Sequence, residues 1–173
     1  MTTQPDFQSL FFTALGGKPK KQKYRLRFDS NLLHDLQFLS SLVHDARLTT
    51  ARVSLRGKRL VVPLHRDCWE YGLQRPDGGT ELRVADSALR LNPVEGVEWE
   101  LPHHLVNKDS ELWLDSLYFA TDYWQGNAPT WSLVLGGHDW LARVHFAADD
   151  PTVELTDRTV PQYWSERRGA QKT

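Results

Sequence analysis

"ARVSLRGKRLVVPLHR", residues 51–66, decides the fold class. Val53 and Leu55 fall on one side of an alternating pattern, and Arg52, Ser54 and Arg56 fall on the other. Gly57 interrupts the pattern, and Leu60, Val62 and Leu64 resume its apolar side. Successive side chains of a strand point to opposite faces, so a period of two marks a strand with one face buried. A glycine between two such runs supplies the positive φ that a tight hairpin needs. The stretch therefore predicts two antiparallel strands. Pro63 has no amide hydrogen to give to a ladder, which predicts an edge strand or a bulge there.

On the N-terminal side, "YRLRFDS" (24–30) alternates again, with Tyr24, Leu26 and Phe28 inward and Arg25 and Arg27 outward. Asp29 or Ser30 can cap a helix, because a short side-chain oxygen accepts from its free N–H groups. Leu32, Leu36, Leu39 and Val43 then recur at helical spacing, and Leu33 and Leu42 widen the stripe. This predicts one amphipathic helix at about 31–44. Residues 1–23 read as a short apolar piece, "FQSLFFTALGG", followed by a basic connector, "KPKKQK".

On the C-terminal side the rhythm stays that of strands. "TELRVADSALRLNP" carries Leu82, Val84, Leu89 and Leu91, and "VEGVEWEL" sets Val97, Trp99 and Leu101 inward. "ELWLDSLYFA" follows, then "TWSLVLGGHDWLARVHFA", two strands around a glycine turn, and finally "TVELTD". The sum is about eight or nine antiparallel strands with one helix and no βαβ rhythm. That predicts a mainly β domain over 24–160, either a sandwich or an open barrel. Residues 161–173 read as a polar C-terminal tail.

Length and composition set bounds. A chain of 173 residues suits one domain with a substantial core. A single cysteine, Cys68, excludes a disulfide framework and a cysteine-rich zinc site. No apolar run approaches the ~18 residues of a membrane span. Asp6 stands where a signal peptide is positive, so the chain reads as cytoplasmic. The net charge of −1 hides an asymmetry: residues 18–66 hold 12 Lys and Arg against 3 Asp and Glu, and residues 67–157 hold 5 against 17. Segregated charge points to a charged partner, or to the two segments meeting in the fold.

Catalytic constellations are missing: the chain has no GxSxG, no HExxH and no phosphate-cradling glycine loop. Three His-Asp dipeptides, at 34–35, 44–45 and 138–139, suggest a metal-dependent phosphohydrolase. Ten helical positions, however, put His34 and His44 about 80° apart around the axis and ~15 Å apart along it, too far to share an ion. No metal or cofactor is expected, and Cys68 beside Trp69 reads as a buried, inert thiol. The stretch "HDARLTTARVSLRGKRLVVPL" (44–64) resembles small, uncharacterised β-rich bacterial proteins of toxin-immunity type. The resemblance implies a non-catalytic β domain and brings no catalytic residue.

Two surfaces remain as candidates. The first is acidic and aromatic: Glu98, Glu100, Glu111, Trp113, Asp115, Asp122, Tyr123 and Trp124. Aromatic anchors ringed by charge suit a protein interface, and the acids would steer a basic protein partner. The second is basic: Arg25, Arg27, Arg52, Arg56, Lys58 and Arg59 share one face if the first strands are neighbours. Such a face would hold phosphates of a nucleic acid. The aromatics of that segment, Tyr24 and Phe28, point inward, away from any stacking role. The sequence thus favours a non-enzymatic interaction protein, immunity-like or an accessory subunit, with a nucleic-acid-binding module as the alternative. Oligomeric state is not readable.

Overall fold

The structure, a computed structural model, describes residues 19–72, 75–105, 110–122, 130–146 and 151–165. In chain order the elements are β1 (Lys23–Arg25), α1 (Leu32–Val43), β2 (Ala46–Thr49), β3 (Ser54–Arg56), β4 (Arg59–Asp67) and β5 (Arg83–Asn92). They continue with β6 (Val94–Glu100), β7 (Glu111–Leu114), β8 (Ser116–Asp122), β9 (Thr130–Gly136), β10 (Leu141–Phe146), β11 (Thr152–Asp157) and β12 (Gln162–Tyr163). The expected β class with a single helix holds among the described residues. The described residues hold twelve strands where eight or nine were expected, because β1, β3 and β12 have only two or three residues.

The strands form two open antiparallel sheets. The larger has eight strands, in the order β1-β11-β5-β4-β2-β7, with β3 also pairing β4 and β12 pairing β5. The smaller has the order β6-β10-β9-β8. Asp115 alone separates β7 in one sheet from β8 in the other, and its amide donates to Gly136 O at 2.8 Å. Apolar residues of both sheets and of α1 join in one core, including Leu60, Val62, Leu89, Leu91 and Leu155 from the large sheet and Leu133, Leu135 and Val144 from the small one.

Helix α1 turns Leu36, Leu39, Leu42 and Val43 into that core. Burial of each leucine contributes roughly 1.5–3 kcal/mol. Leu33 does not widen the stripe; it lies 72 % exposed on the solvent side. Asn31 takes the cap position without a side-chain hydrogen bond, while Asp29 Oδ1 accepts from the Asn31 amide at 2.8 Å and so closes the turn before it.

The hairpin of residues 51–66 forms as β3 and β4, with Gly57 at φ +59°. Leu60, Val62 and Leu64 are buried as expected, but Leu55 is 44 % exposed because short β3 overhangs the sheet. Pro63 is not on an edge strand: β4 runs inside the sheet, paired to β5 along its length. On its other side β4 meets β3 at 59–61 and β2 at His65, and the 3₁₀ turn Thr50–Arg52 fills the interval. Pro63 lies opposite that interval, where no ladder amide is required.

The expected tail begins later than residue 161. Pro161 is buried, Tyr163 pairs with Arg83 of β5, and the Trp164 ring meets the His65 ring edge-on at 5.5 Å. The body also starts slightly before residue 24, since the Gln22 carbonyl accepts from the Asp157 amide and the Gln22 amide donates to the Asp157 carboxylate.

Candidate functional site

Strand register determines what the large sheet shows to solvent. Along β4 the even positions from Leu60 to Arg66 face the core, so Arg59, Val61, Pro63, His65 and Asp67 face outward. Across the sheet, Arg25 stands opposite Glu154, Glu154 opposite Arg90, Arg90 opposite Val61, and Val61 opposite Ser54. A second row runs Asp86, His65, Arg47 and Trp113. Both rows belong to one outer face.

The proposed basic set is only partly brought together. β1 is separated from β4 by β11 and β5, so the first strands are not neighbours. Arg25 still joins the outer face through its register, and its guanidinium reaches Thr152 Oγ1 at 3.5 Å. Arg27 leaves the strand and grips Asp35 of α1 with two hydrogen bonds of 2.8 and 3.0 Å. Arg56, Lys58 and Arg59 cluster at the hairpin tip with Ser54, Val61 and Asn92. Arg52 sits in the 3₁₀ turn and lines a separate notch.

That notch opens where β4 lacks a partner beside Pro63. It encloses about 370 Å³ and is lined by Arg47, Arg52, Arg158, His65, Asp86 and Glu111, among others. His65 Nδ1 lies 3.0 Å from Asp86 Oδ1, which together with the Trp164 contact holds the imidazole in place. Ion pairs elsewhere on the face commit Lys23 and Arg90 to Glu154. Among the described residues, Arg47, Arg52 and Arg158 have no carboxylate within ion-pair distance. The Arg47 guanidinium lies 5.5 Å from the centroids of both the Trp113 and the Trp164 rings. Trp113 is 50 % exposed and Trp164 36 %.

The proposed acidic and aromatic set is divided. Glu98 and Glu100 are on the outer face of the small sheet, where Glu98 lies opposite Arg143 and 3.4 Å from His145. Glu111 and Trp113 are on the outer face of the large sheet, which the core separates from the first. Trp113 therefore stands against a cation rather than among acids. Asp115 is the corner between the sheets, Asp122 ends β8, and Tyr123 and Trp124 lie outside the described residues. Arg47, Arg158 and Trp164 escaped the sequence reading. Arg47 lies between Ala46 and Leu48, both buried, and that alternation marks it as outward. Trp164 was hidden by its place in an apparent tail.

A second charged cluster centres on two side chains closed to solvent, Arg66 and Asp157, with Glu70 at its margin. Arg66, 0 % exposed, donates to Asp157 at 3.1 and 3.0 Å, to Glu70 at 3.1 and 2.7 Å, and to Ser87 Oγ at 3.2 Å. Ser87 Oγ donates to Asp157 at 2.7 Å, and the Gln22 amide reaches the same carboxylate at 3.1 Å. Burial opposes the Arg66 charge, but the two carboxylates outweigh it and raise its pKa further. Burial pushes the neighbouring Cys68 thiol far above its ordinary value, against the pull of Arg66. A paired, largely covered cluster like this anchors one end of the sheet.

The His-Asp pairs have local roles. Asp35 is held by Arg27, while Asp45, at φ +62°, turns the chain from α1 into β2 with its carboxylate 3.0 Å from His44. His138 and Asp139 are exposed in the β9–β10 turn. Among the described residues no three His, Cys, Asp or Glu side chains converge as metal ligands. No described helix is long and apolar enough to cross a membrane. Comparison with known proteins gave no match: no family model fits the chain, and neither a curated protein nor a solved structure is significantly similar to it.

Proposed function

We propose that this chain is a non-enzymatic binding module for single-stranded nucleic acid, held on the outer face of the large sheet. The observation that carries this reading is the placement of two half-exposed tryptophans around Arg47, on the same face as the cations. Proteins that hold single strands combine a cationic track with aromatic platforms on which bases stack. Here the cations form two clusters on one face, Arg56, Lys58 and Arg59 at the hairpin tip and Arg47, Arg52 and Arg158 at the notch beside His65, six residues or ~20 Å apart along β4. Trp113 and Trp164 give this face the aromatic half of such a site.

The test is fluorescence anisotropy of a labelled ten-residue oligothymidylate, at low and near-physiological salt. Binding in the micromolar range at low salt that weakens with added salt is expected. Trp113→Ala removes an exposed ring but spares the Trp113 carbonyl, which accepts from Trp140 Nε1 at 3.0 Å, so the fold should persist. The variant should bind about fivefold weaker or worse, since a base–aromatic stack contributes roughly 1–3 kcal/mol. No binding at low salt would end this reading.

A second reading, an immunity-like or accessory protein with a protein partner, draws on the opposite side. There Leu33 and Tyr118, 72 % and 45 % exposed, border an apolar cavity of about 510 Å³ between α1 and β8. Tyr118 also shares the outward rung of Glu98, through Val134 and Arg143. Absence of nucleic-acid binding would transfer the assignment to that side, with Glu98 and Glu100 steering a basic partner.

A further inference from the structure

The notch beside Pro63 is more than a part of a cationic track. A gap in a sheet normally closes by side-chain packing, yet this one stays open at about 370 Å³, within the range of small-ligand sites. Its walls mix the two charges. Arg47, Arg52 and Arg158 line it, brought from β2, the 3₁₀ turn and the chain after β11. Asp86, engaged by His65, and Glu111 line it as well.

Three arginines from three elements, none with a carboxylate partner among the described residues, line this one cavity, a composition suited to an anion. Guanidinium forks match the oxygen geometry of phosphate and can each give two parallel N–H donors. The fold holds this arrangement in place: the Arg158 amide donates to Asp86 O at 2.7 Å, and the Asp86 amide donates to Thr159 Oγ1 at 2.9 Å. Arg47, the one guanidinium flanked by indoles, connects the anion site to the stacking surface of Trp113 and Trp164.

We propose that the notch seats one phosphorylated nucleotide unit of the bound strand, with its phosphate on Arg47, Arg52 and Arg158 and its base toward Trp113 or Trp164. The proposal rests on the nucleic-acid reading and makes it specific: the face has one fixed position for a nucleotide, from which the rest of the strand follows β4 toward Arg59. Glu111 and the His65–Asp86 pair border the seat and orient the phosphate toward the arginines.

The experiment follows tryptophan fluorescence while thymidine 5′-monophosphate, thymidine or inorganic phosphate is added to the full chain at low salt. The same oligothymidylate anisotropy is run in parallel. Both are repeated with Arg52→Gln/Arg158→Gln, whose side chains are exposed and make no ion pair among the described residues. The monophosphate should quench fluorescence and bind at least tenfold tighter than thymidine. The double variant should weaken it at least tenfold, because two of the three charged forks that hold the phosphate are then neutral. If the oligonucleotide binds and the double variant binds both ligands undiminished, the seat is overturned while the nucleic-acid reading stands. If the monophosphate binds in an arginine-dependent way but the oligonucleotide does not, the seat stands and the single-strand reading fails. If inorganic phosphate binds as tightly as the monophosphate, the base-directed half of the proposal is overturned. No binding of any probe overturns both.

Discussion

Replacement of Arg66 by methionine removes a fully buried charge from the middle of a paired cluster. Methionine keeps most of the side-chain length, so the loss is of charge and donors rather than of volume. Five hydrogen bonds disappear, and Asp157, whose side chain is fully covered, keeps only Ser87 Oγ and the Gln22 amide as donors. Breaking one partner of a buried ion pair costs about 3–5 kcal/mol, because a charge remains in a poorly solvating place. Total stabilities run from about 5 to 15 kcal/mol, so this one substitution removes a large share of the margin. Urea unfolding followed by tryptophan fluorescence should show it. With a denaturant slope of roughly 2 kcal/mol/M, the midpoint should fall by about 1.5–2.5 M. Arg66→Met/Asp157→Leu removes both charges on that side and should recover part of the loss, since a buried pair replaced by apolar groups is often near neutral. A single variant that loses less than about 1 kcal/mol would refute the assignment of this cluster as a structural anchor.

Two further outcomes follow from the geometry. A Cβ at Gly137 would overlap both the Trp140 indole and the Trp113 carbonyl, so Gly137→Ala should cost roughly 1–3 kcal/mol in thermal or urea unfolding; Gly96→Ala, with open space around it, should leave stability nearly unchanged. The Arg27 fork holds the Asp35 carboxyl below the usual aspartate value. A depressed folded pKa means that its contribution is present above the unfolded value and is lost as pH falls through the folded one. A carboxyl-detected NMR titration should therefore place Asp35 below a free aspartate in the native protein and near it in Arg27→Gln.

The hairpin, the helix and the core-facing leucines were legible because each depends on local periodicity. Leu60, Val62 and Leu64 alternate into the core, and Leu36, Leu39 and Val43 recur at helical spacing. Even the buried arginine obeyed the pattern: Arg66 has the parity of Leu64 in β4 and so points inward, where its type alone suggests solvent. What sequence could not show is strand order. Whether Glu98 and Trp113 share a face depends on which sheet each strand joins, and the chain changes sheet between β6 and β7 and again at the single residue Asp115. Pairings across long separations carry no local signal, so the cations of β1 and the indole of Trp164 could be placed near Arg47 or far from it with equal ease. Trp164 joins the site only because β12 pairs with β5, some 80 residues earlier in the chain.

The position of α1 against β8 has a consequence for how the molecule behaves at high concentration. β8 is a terminal strand of seven residues, long enough to template pairing with another chain. The helix lies along it, and Ser40 Oγ accepts the Leu117 amide at 2.9 Å, so one of the groups that a foreign strand would seek is already taken. The large sheet ends instead in strands of three and four residues, β1 and β7, with lysine and arginine on one and glutamate on the other. Short charged borders at the large sheet and a helical cover over β8 discourage edge-to-edge pairing at those borders, which leaves β6, with Glu95, Glu98 and Glu100 exposed along it, as the long open edge of the small sheet.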